Sequence, residues 1–214
     1  MKNIKGAIFD CDGVLLDSMP AWIEAEVDYV ISLGLRPRDD FVESVRALST
    51  YEVAEYIKTE YNVRKPIEEI IEGRDKIIED LYFYKIPLKE GVLSVLDYMR
   101  DRGVKMCVAT ASNRNIVEPA FRRCGILGYF EKIFTCSEEA TSKISPDIFI
   151  RAASFLGTDI SETVVFEDAV HAIRSAKSAG FTIAAVYDIS EDDSQDEIKS
   201  LCDYYYKSLT DFPF

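Results

Sequence analysis

The sequence predicts an α/β protein of three layers, with a parallel sheet between helices and a block of further helices inserted after the first strand. Three observations support this fold class. An apolar strand comes first, at residues 7–9; residues 19–87 show only helical periodicity; and from Pro87 onward short apolar strands alternate with helices. Such alternation is typical of right-handed crossovers around a parallel sheet. With 214 residues the chain can bury a full core and carry a smaller second domain.

The first predicted strand leads directly into a pair of acidic residues. Residues 7–9 are apolar on both faces, as in a strand inside a parallel sheet. Asp10 and Asp12 follow, and residues two apart in an extended chain point the same way. Gly13 then lets the backbone turn away. Like charges held so close are costly, so one carboxylate is protonated or a cation lies between them. For this stretch alone, a solvated turn is the alternative.

The inserted block predicts a run of amphipathic helices and no strand. Gly34, Pro37 and Pro66 mark the breaks, and Ser49 or Thr50 is positioned to cap the third helix. Apolar residues recur at spacings of three and four among charged ones, in four segments: residues 19–34, 39–49, 50–61 and 66–85.

The remainder of the chain predicts the rest of the sheet and its covering helices. We expect strands at residues 104–110, 132–136, 163–168, 182–188 and 203–207. Helices are expected at residues 91–102, 114–124, 146–157 and 169–180, and an acidic loop and helix start at 190–197. The predicted domains are therefore a core of residues 1–18 and 88–214, and a helical domain of residues 19–87.

Polar side chains follow three of the predicted strands. In open parallel sheets ligands bind beyond the carboxyl ends of the strands, so these side chains should converge although they are far apart in sequence. They are Asp10 and Asp12, Thr110 and Ser112, and Glu167 and Asp168.

Four segments resemble the signatures of the haloacid dehalogenase superfamily, in the branch of β-phosphoglucomutase and phosphoglycolate phosphatase. They are DCDGVLLDS (residues 10–18), VATASN (108–113), SKISPDIFIRAA (142–153) and TVVFEDAVHAIRSAKSAG (163–180). The chain departs from the usual pattern at Ile144, where proline is common, and at Ala169 and Ala172, where serine and glycine are common. None of these departures removes a candidate ligand. The resemblance implies a Rossmann-like core with an inserted helical cap domain.

The same resemblance implies a magnesium-dependent phosphohydrolase that acts on a small phosphorylated metabolite through an aspartyl-phosphate intermediate. Catalytic roles fall to Asp10 as nucleophile, Asp12 as general acid and base, and Thr110 and Lys143 as phosphate ligands. The implied Mg²⁺ ligands are Asp10, the main-chain carbonyl of Asp12, Glu167 and Asp168. Phosphate or substrate contacts are implied for Asp12, Gly13, Ser18, Trp22, Thr110, Ala111, Ser112 and Lys143.

Each motif also has a purely structural interpretation. Ser112 or Asn113 could cap the helix that follows, and Asp168 could do the same at its own helix start. A single lysine such as Lys143 is commonly solvated. His171, the only histidine, is expected to be structural or exposed.

A sugar phosphomutase is the main competing function. In the β-phosphoglucomutase pattern a histidine lies in the first cap helix and an arginine lies at the start of a later one. Here Trp22 and Thr50 stand at the matching positions. Losing an arginine removes a bidentate phosphate clamp, so a hydrolase is expected unless Arg46, Arg64 or Arg74 takes that role. Trp22 could pack inside the cap or form an apolar wall over the site.

Other classes fit the sequence less well. Asp12 argues against the haloacid dehalogenases themselves, which do not use this second aspartate. A phosphorylation-dependent receiver domain would not carry the inserted helical block, and a non-catalytic binding protein would not need the intact motifs. We also expect the helical block to act as a lid hinged near residues 16–19 and 86–90.

Composition bounds the partners and the compartment. Thirty-eight acidic against 25 basic residues give a formal charge of −13, which disfavours nucleic acid and anionic membranes. No apolar run approaches the length of a membrane helix, so we expect a cytoplasmic protein. We also expect a monomer. Five cysteines without a C-x-x-C pair are expected to be small buried hydrophobes rather than disulfides or zinc ligands.

Overall fold

A computed structural model of the chain describes residues 4–45, 48 and 50–213. The chain divides into two compact units: one contains the residues up to Met19 and from Pro87 on, and the other is Pro20–Ile86. None of the helices in the described ranges is long and apolar enough to cross a membrane. The roles of the two units as catalytic core and cap stay predictions.

The larger unit is built on a six-stranded sheet whose neighbouring strands all run parallel. The spatial order is β3-β2-β1-β4-β5-β6. The strands are β1 (Gly6–Phe9), β2 (Lys105–Thr110), β3 (Ile133–Thr135), β4 (Thr163–Glu167), β5 (Thr182–Val186) and β6 (Tyr204–Tyr206). The predicted α/β fold class with a parallel sheet is confirmed.

The helices follow the predicted order, with small differences at their ends. They are α1 (Met19–Ser32), α2 (Phe41–Val45), α3 (Thr50–Glu60), α4 (Ile67–Tyr84), α5 (Val92–Asp101), α6 (Arg114–Arg123), α7 (Asp147–Leu156), α8 (Val170–Ser178) and α9 (Gln195–Leu201). Short 3₁₀ turns at Leu127–Tyr129, Ile160–Glu162, Ile189–Ser194 and Leu209–Asp211 were not predicted, because single turns carry too few residues to show a period.

Strand β1 occupies the middle of the sheet because its residues are apolar on both faces. Ala7, Ile8 and Phe9 are fully buried, and the strand pairs with β2 on one side and β4 on the other. The Phe9 ring stacks on that of Phe166 in β4, with centroids 4.4 Å apart. Each hydrogen-bonded neighbour limits the position of β1, so the residue that follows Phe9 is held at a defined point of the sheet edge.

The helical unit has its own apolar core and one buried ion pair. Residues from α1, α2, α3 and α4 form the core, including Val30, Ile57 and Ile70. Within it the Arg74 guanidinium pairs with both carboxylate oxygens of Glu26, and both residues are buried. Strands are absent from the described part of this unit, as the periodicity predicted.

The end of β5 and the burial of three cysteines differ from the prediction. Strand β5 ends at Val186 rather than residue 188, because Asp188 instead caps the 3₁₀ turn that follows by accepting the Ser190 amide. All five cysteines are free thiols, but only Cys11 and Cys107 are buried. The other three are half-buried at the unit's surface, so the expectation of burial was wrong for them: Cys124, Cys136 and Cys202.

Candidate active site

The candidate site lies where strands β1, β2 and β4 end at the same edge of the sheet. Because β1 is flanked by β2 and β4, the residues that close these strands become neighbours: Asp10 follows β1, Thr110 ends β2 and Glu167 ends β4. The Asp10 amide continues the ladder by donating to the Phe166 carbonyl at 2.9 Å. The strand ends therefore converge, as expected from the sequence.

Lys143 joins two carboxylates of this cluster. Its ammonium nitrogen lies 2.5 Å from Oδ1 of Asp10 and 2.6 Å from Oε1 of Glu167, and all three side chains are buried. Lys143 is thus not a solvated surface lysine. It sits in a loop before α7, 24 residues from Glu167, at the position that the third motif indicated.

Burial and mutual repulsion shape the charge state of the cluster. Burial raises the pKa of Asp10 to about 8, although the Lys143 charge works in the opposite direction. Burial, together with the charges of Glu167, Asp10 and Asp188, raises the pKa of Asp168 well above its ordinary range. Burial alone would lower the pKa of Lys143, but the Asp10 and Glu167 carboxylates raise it above its usual value, so the lysine stays cationic.

Asp12 is oriented by two hydroxyl groups. Its Oδ1 accepts from Ser18 Oγ at 2.6 Å, and its Oδ2 accepts from Ser112 Oγ at 2.6 Å. The Ser112 amide in turn donates to Thr110 Oγ1 at 3.0 Å, which leaves the Thr110 hydroxyl proton for another acceptor. The four side chains form one connected network beside the Asp10 cluster.

Gly13 lies against the carboxylate of Asp168. An added Cβ would fall 2.1 Å from Asp168 Oδ2, and Gly13 has a φ of +75°. Both facts require glycine, because side-chain-bearing residues rarely adopt this φ and no Cβ fits in this space. The backbone of the turn at Gly13 therefore closes one side of the acidic cluster.

The interpretation of Ser112, Asn113 and Asp168 as helix caps is wrong, whereas His171 is exposed, as expected. Asn113 is at the N-cap position of α6 without a side-chain cap bond, and the Ser112 hydroxyl donates to Asp12 instead. The amides of Asp168 and Ala169 are accepted by Glu167 Oε2 at 3.1 and 3.3 Å, so Glu167 serves the helix start that had been assigned to Asp168. In the described residues no hydrogen bond ends on the Asp168 carboxylate, which faces the cluster.

The predicted metal ligands come together in part. Asp10, Glu167 and Asp168 each offer an oxygen, and these oxygens all lie within 4.8 Å of one another. Within the described residues, the three buried carboxylates are paired with one ammonium group, that of Lys143, so the negative charge of the cluster is not fully balanced. Carboxylate oxygens are the ligands that Mg²⁺ prefers. The donor set therefore fits a hard divalent cation, whereas the Asp12 carboxylate is engaged by two hydroxyls and lies outside the group.

Two of the residues predicted to contact substrate are not among the side chains that form the acidic cluster. Ala111 is exposed, between Thr110 and Ser112. Trp22 lies in the helical unit on α1, with its ring edge-to-face against Tyr82 at 6.3 Å. Its predicted contact with substrate stays a prediction.

The three arginines considered as replacements for a phosphate clamp differ in their surroundings. The Arg74 guanidinium is taken up by Glu26 and by the Thr50 carbonyl, to which it donates at 3.1 Å. Arg64 is exposed. Arg46 lies outside the described residues, as does Ser49, the other residue considered as a cap for α3.

One ion pair near the cluster was not found from the sequence. Lys89 Nζ lies 2.7 Å from Asp188 Oδ2, beyond the carboxyl end of β5. The two residues are 99 positions apart, and Lys89 belongs to no motif. The available signal was Asp188 itself, an acidic residue following an apolar strand, as Asp10 and Asp168 do.

Comparisons with known proteins agree on one family. The chain matches the sequence profile of the haloacid dehalogenase-like hydrolases over residues 7–186. It is 27% identical to hexitol phosphatase B of Escherichia coli over 83% of this chain and 81% of that one. It is 25% identical to a phosphorylated carbohydrates phosphatase of Thermotoga maritima over 83% and 82%. A solved structure, a candidate β-phosphoglucomutase of Thermotoga maritima, superposes with a TM-score of 0.85 over 95% and 94% of the chains at 21% identity.

Proposed function

Because the chain belongs to the haloacid dehalogenase-like hydrolase family, we propose that its acidic cluster hydrolyses phosphate monoesters of a small metabolite through an aspartyl-phosphate intermediate. The family expected from the motifs is confirmed, and the chain is a phosphatase by its family and its relatives. The observation that carries the mechanism is the contact of Lys143 with Asp10 and Glu167 beside Asp168. It provides a buried carboxylate nucleophile and a fixed cation at one point.

Asp10, Glu167 and Asp168 are the residues that would hold Mg²⁺, with the Asp12 carbonyl as a further proposed ligand. When bound, the ion supplies the charge that keeps Asp10 ionised and offsets its repulsion of a phosphate dianion. The proposal is supported by the raised pKa of Asp10, since a nucleophile with a pKa of about 8 needs a nearby positive charge to be fully ionised at neutral pH.

In the first half-reaction an Asp10 carboxylate oxygen attacks phosphorus. The new oxygen–phosphorus bond forms as the bond from phosphorus to the alcohol oxygen breaks, and Asp12 in its protonated form gives that oxygen its proton. Lys143 and the Thr110 hydroxyl hold the phosphoryl oxygens, which carry the charge of the transition state. Ser18 and Ser112 keep the Asp12 carboxyl group in place for this transfer.

In the second half-reaction Asp12 accepts a proton from water as the water attacks the phosphorus of the aspartyl phosphate. The acyl–phosphate bond breaks, inorganic phosphate leaves and the Asp10 carboxylate is restored. One residue serves as acid and then as base, so its protonation state is reset in each cycle.

We propose a phosphorylated polyol or sugar as substrate. The named relatives act on hexitol phosphates and phosphorylated carbohydrates, and the chain covers more than four fifths of each of them. A small neutral polyol also suits a net acidic protein, because only the phosphate has to be held by positive charge.

The arrangement of Arg74 supports hydrolysis rather than phosphoryl transfer back to a sugar. A mutase must hold two phosphates, and a bidentate arginine is the usual clamp for the second one. The Arg74 guanidinium is committed to Glu26 and the Thr50 carbonyl inside the helical unit. To test the distinction, β-glucose 1-phosphate is incubated with a bisphosphate primer and Mg²⁺. Formation of glucose 6-phosphate that outpaces phosphate release would overturn the hydrolase assignment.

The phosphatase proposal is tested with 4-nitrophenyl phosphate and then a panel of sugar and polyol phosphates. We expect turnover with Mg²⁺, loss of turnover in excess chelator, and no turnover in Asp10→Asn. Asp17→Asn is the matched control, because its side chain is an exposed carboxylate seven residues away. Full activity of Asp10→Asn, or activity that survives chelation, would contradict the mechanism.

A further inference from the structure

Lys89 and Asp188 form a strongly connected ion pair at the edge of the catalytic unit. Besides its 2.7 Å contact with Asp188 Oδ2, Lys89 Nζ donates to the Tyr187 carbonyl at 2.8 Å. The other oxygen of Asp188 accepts the Ser190 amide at 3.0 Å and its hydroxyl at 2.8 Å. The side chains are 17% and 4% exposed. A charge-assisted pair with this little exposure and this many partners has one defined geometry.

The backbone of Lys89 is part of a short paired crossing. The chain leaves the larger unit after Met19 and returns at Pro87. Residues 15–17 of the outgoing passage are hydrogen-bonded to residues 87–89 of the returning passage. The Asp17 amide donates to the Pro87 carbonyl at 3.0 Å, and the Lys89 amide donates to the Leu15 carbonyl at 3.0 Å. Lys89 thus holds the returning passage to the β5 loop, and the returning passage holds the outgoing one.

The outgoing passage carries the group that orients Asp12. Ser18 directly follows Asp17, and its hydroxyl donates to Asp12 Oδ1 at 2.6 Å. Ser112 supplies another hydroxyl from the loop that follows β2, and Asp12 depends on the crossing for the bond from Ser18. A displacement of the crossing would move Ser18 and weaken its bond to Asp12.

We propose that Lys89, anchored by Asp188, is a positioning residue that orients Asp12 for proton transfer through the paired crossing. The proposal rests on the proposed function of Asp12 as general acid. Neither residue of the pair touches the reacting atoms; their effect passes through residues 15–18. The pair therefore acts on the step in which the leaving oxygen is protonated, and only weakly on phosphate binding.

The test uses two aryl phosphates of similar size. 4-Nitrophenol leaves as an anion with little help, whereas phenol is a weaker acid and depends more on proton transfer from Asp12. In Lys89→Met we expect kcat/KM for phenyl phosphate to fall about tenfold and that for 4-nitrophenyl phosphate to fall less than threefold. Asp188→Asn should give the same pattern, and the double variant should be no worse than either single one.

Amide hydrogen exchange reports on the crossing without reference to activity. In Lys89→Met the amides of residues 17 and 89 should exchange about tenfold faster, because the contact that holds the crossing is lost. Lys177→Met is the matched control. It removes an exposed ion pair with Asp203 in the same unit, and it should change neither the exchange at these two amides nor the ratio of the two esters.

The outcomes separate the two proposals. Unchanged exchange at residues 17 and 89, or an equal loss on both esters, overturns the positioning role of Lys89 whatever the enzyme hydrolyses. A wild-type chain that hydrolyses neither ester in the presence of Mg²⁺ contradicts the proposed function instead, and the exchange experiment still decides whether Lys89 holds the crossing.

Discussion

Replacing Gly13 with alanine should disable the site by displacing one carboxylate. The new Cβ would lie 2.1 Å from Asp168 Oδ2, and Cβ contacts below 3.0 Å essentially do not occur. The carboxylate or the turn must therefore move by at least about 0.9 Å, the difference between these distances. The Asp168 side chain is buried, so it has little space in which to move without leaving the cluster.

The expected loss follows from that displacement. A misplacement of about 1 Å in a catalytic constellation costs on the order of 10²-fold in rate, and moving a metal ligand weakens metal binding by roughly 10–100-fold. Alanine at a positive φ adds about 1–2 kcal/mol of backbone strain. We expect Gly13→Ala to lose about 10²-fold in kcat/KM and to require more Mg²⁺ for half-maximal activity.

Gly103→Ala separates strain from displacement. Gly103 lies in the same unit with a φ of +69°, and its added Cβ meets nothing within 4 Å. Both variants should unfold at a lower urea concentration, but only Gly13→Ala should lose turnover of 4-nitrophenyl phosphate. If Gly13→Ala keeps its rate within twofold and its Mg²⁺ requirement, Asp168 is not where the mechanism needs it and the reasoning is refuted.

Three other results are expected. In excess chelator the free energy of unfolding should decrease between pH 5 and pH 8. The pKa of Asp10 is raised to about 8 in the folded chain, so stability present in acid is lost as the pH rises, and Asp10 alone accounts for at most about 4 kcal/mol of this loss. The raised pKa of Asp168 acts in the same direction, and a decrease of stability toward acid in urea titrations would contradict this. Arg74→Met should destabilise the helical unit by about 3–5 kcal/mol, because Glu26 is left buried without its partner. Adding Glu26→Met should recover most of that loss in urea unfolding, and a single-variant loss under about 1 kcal/mol would refute the reasoning. Ser112→Ala should lower kcat about tenfold by removing a donor to Asp12, with little change in KM; an unchanged kcat in steady-state assays would show that Asp12 does not need this bond.

The sequence predicted the sheet well because the burial of a strand requires a run of apolar residues, which is visible in the sequence. Residues 7–9 are apolar on both faces. A strand needs apolar residues on both faces only when it pairs with a strand on each side and is covered by a layer on each face. The order of the strands in the sheet cannot be predicted from the pattern of apolar residues. That β1 lies between β2 and β4 follows from how the crossovers pack, and periodicity along one chain contains no information about lateral neighbours.

The residues of the candidate site were predictable as a set but not as a network. The carboxyl-end rule placed Asp10, Thr110 and Asp168 at one edge, since it concerns only where strands end. It does not say where a hydroxyl points. Ser112 could have capped α6 or bonded Asp12. Only the first of these interactions is local in the sequence. The bond to Asp12 spans 100 residues, so only the folded chain decides it.

The central place of β1 has a consequence for how the protein is made. This strand is synthesised first, yet its partners begin at Lys105 and Thr163. At roughly 5–20 residues per second, the ribosome completes β4 some 10 to 30 s after β1. During that interval the apolar strand β1 lacks its sheet partners, while the helices of residues 20–86 already have their local partners. Asp10 therefore reaches its final position only after β4 has been made, and release of the chain at any earlier point leaves an aggregation-prone strand rather than a weaker enzyme.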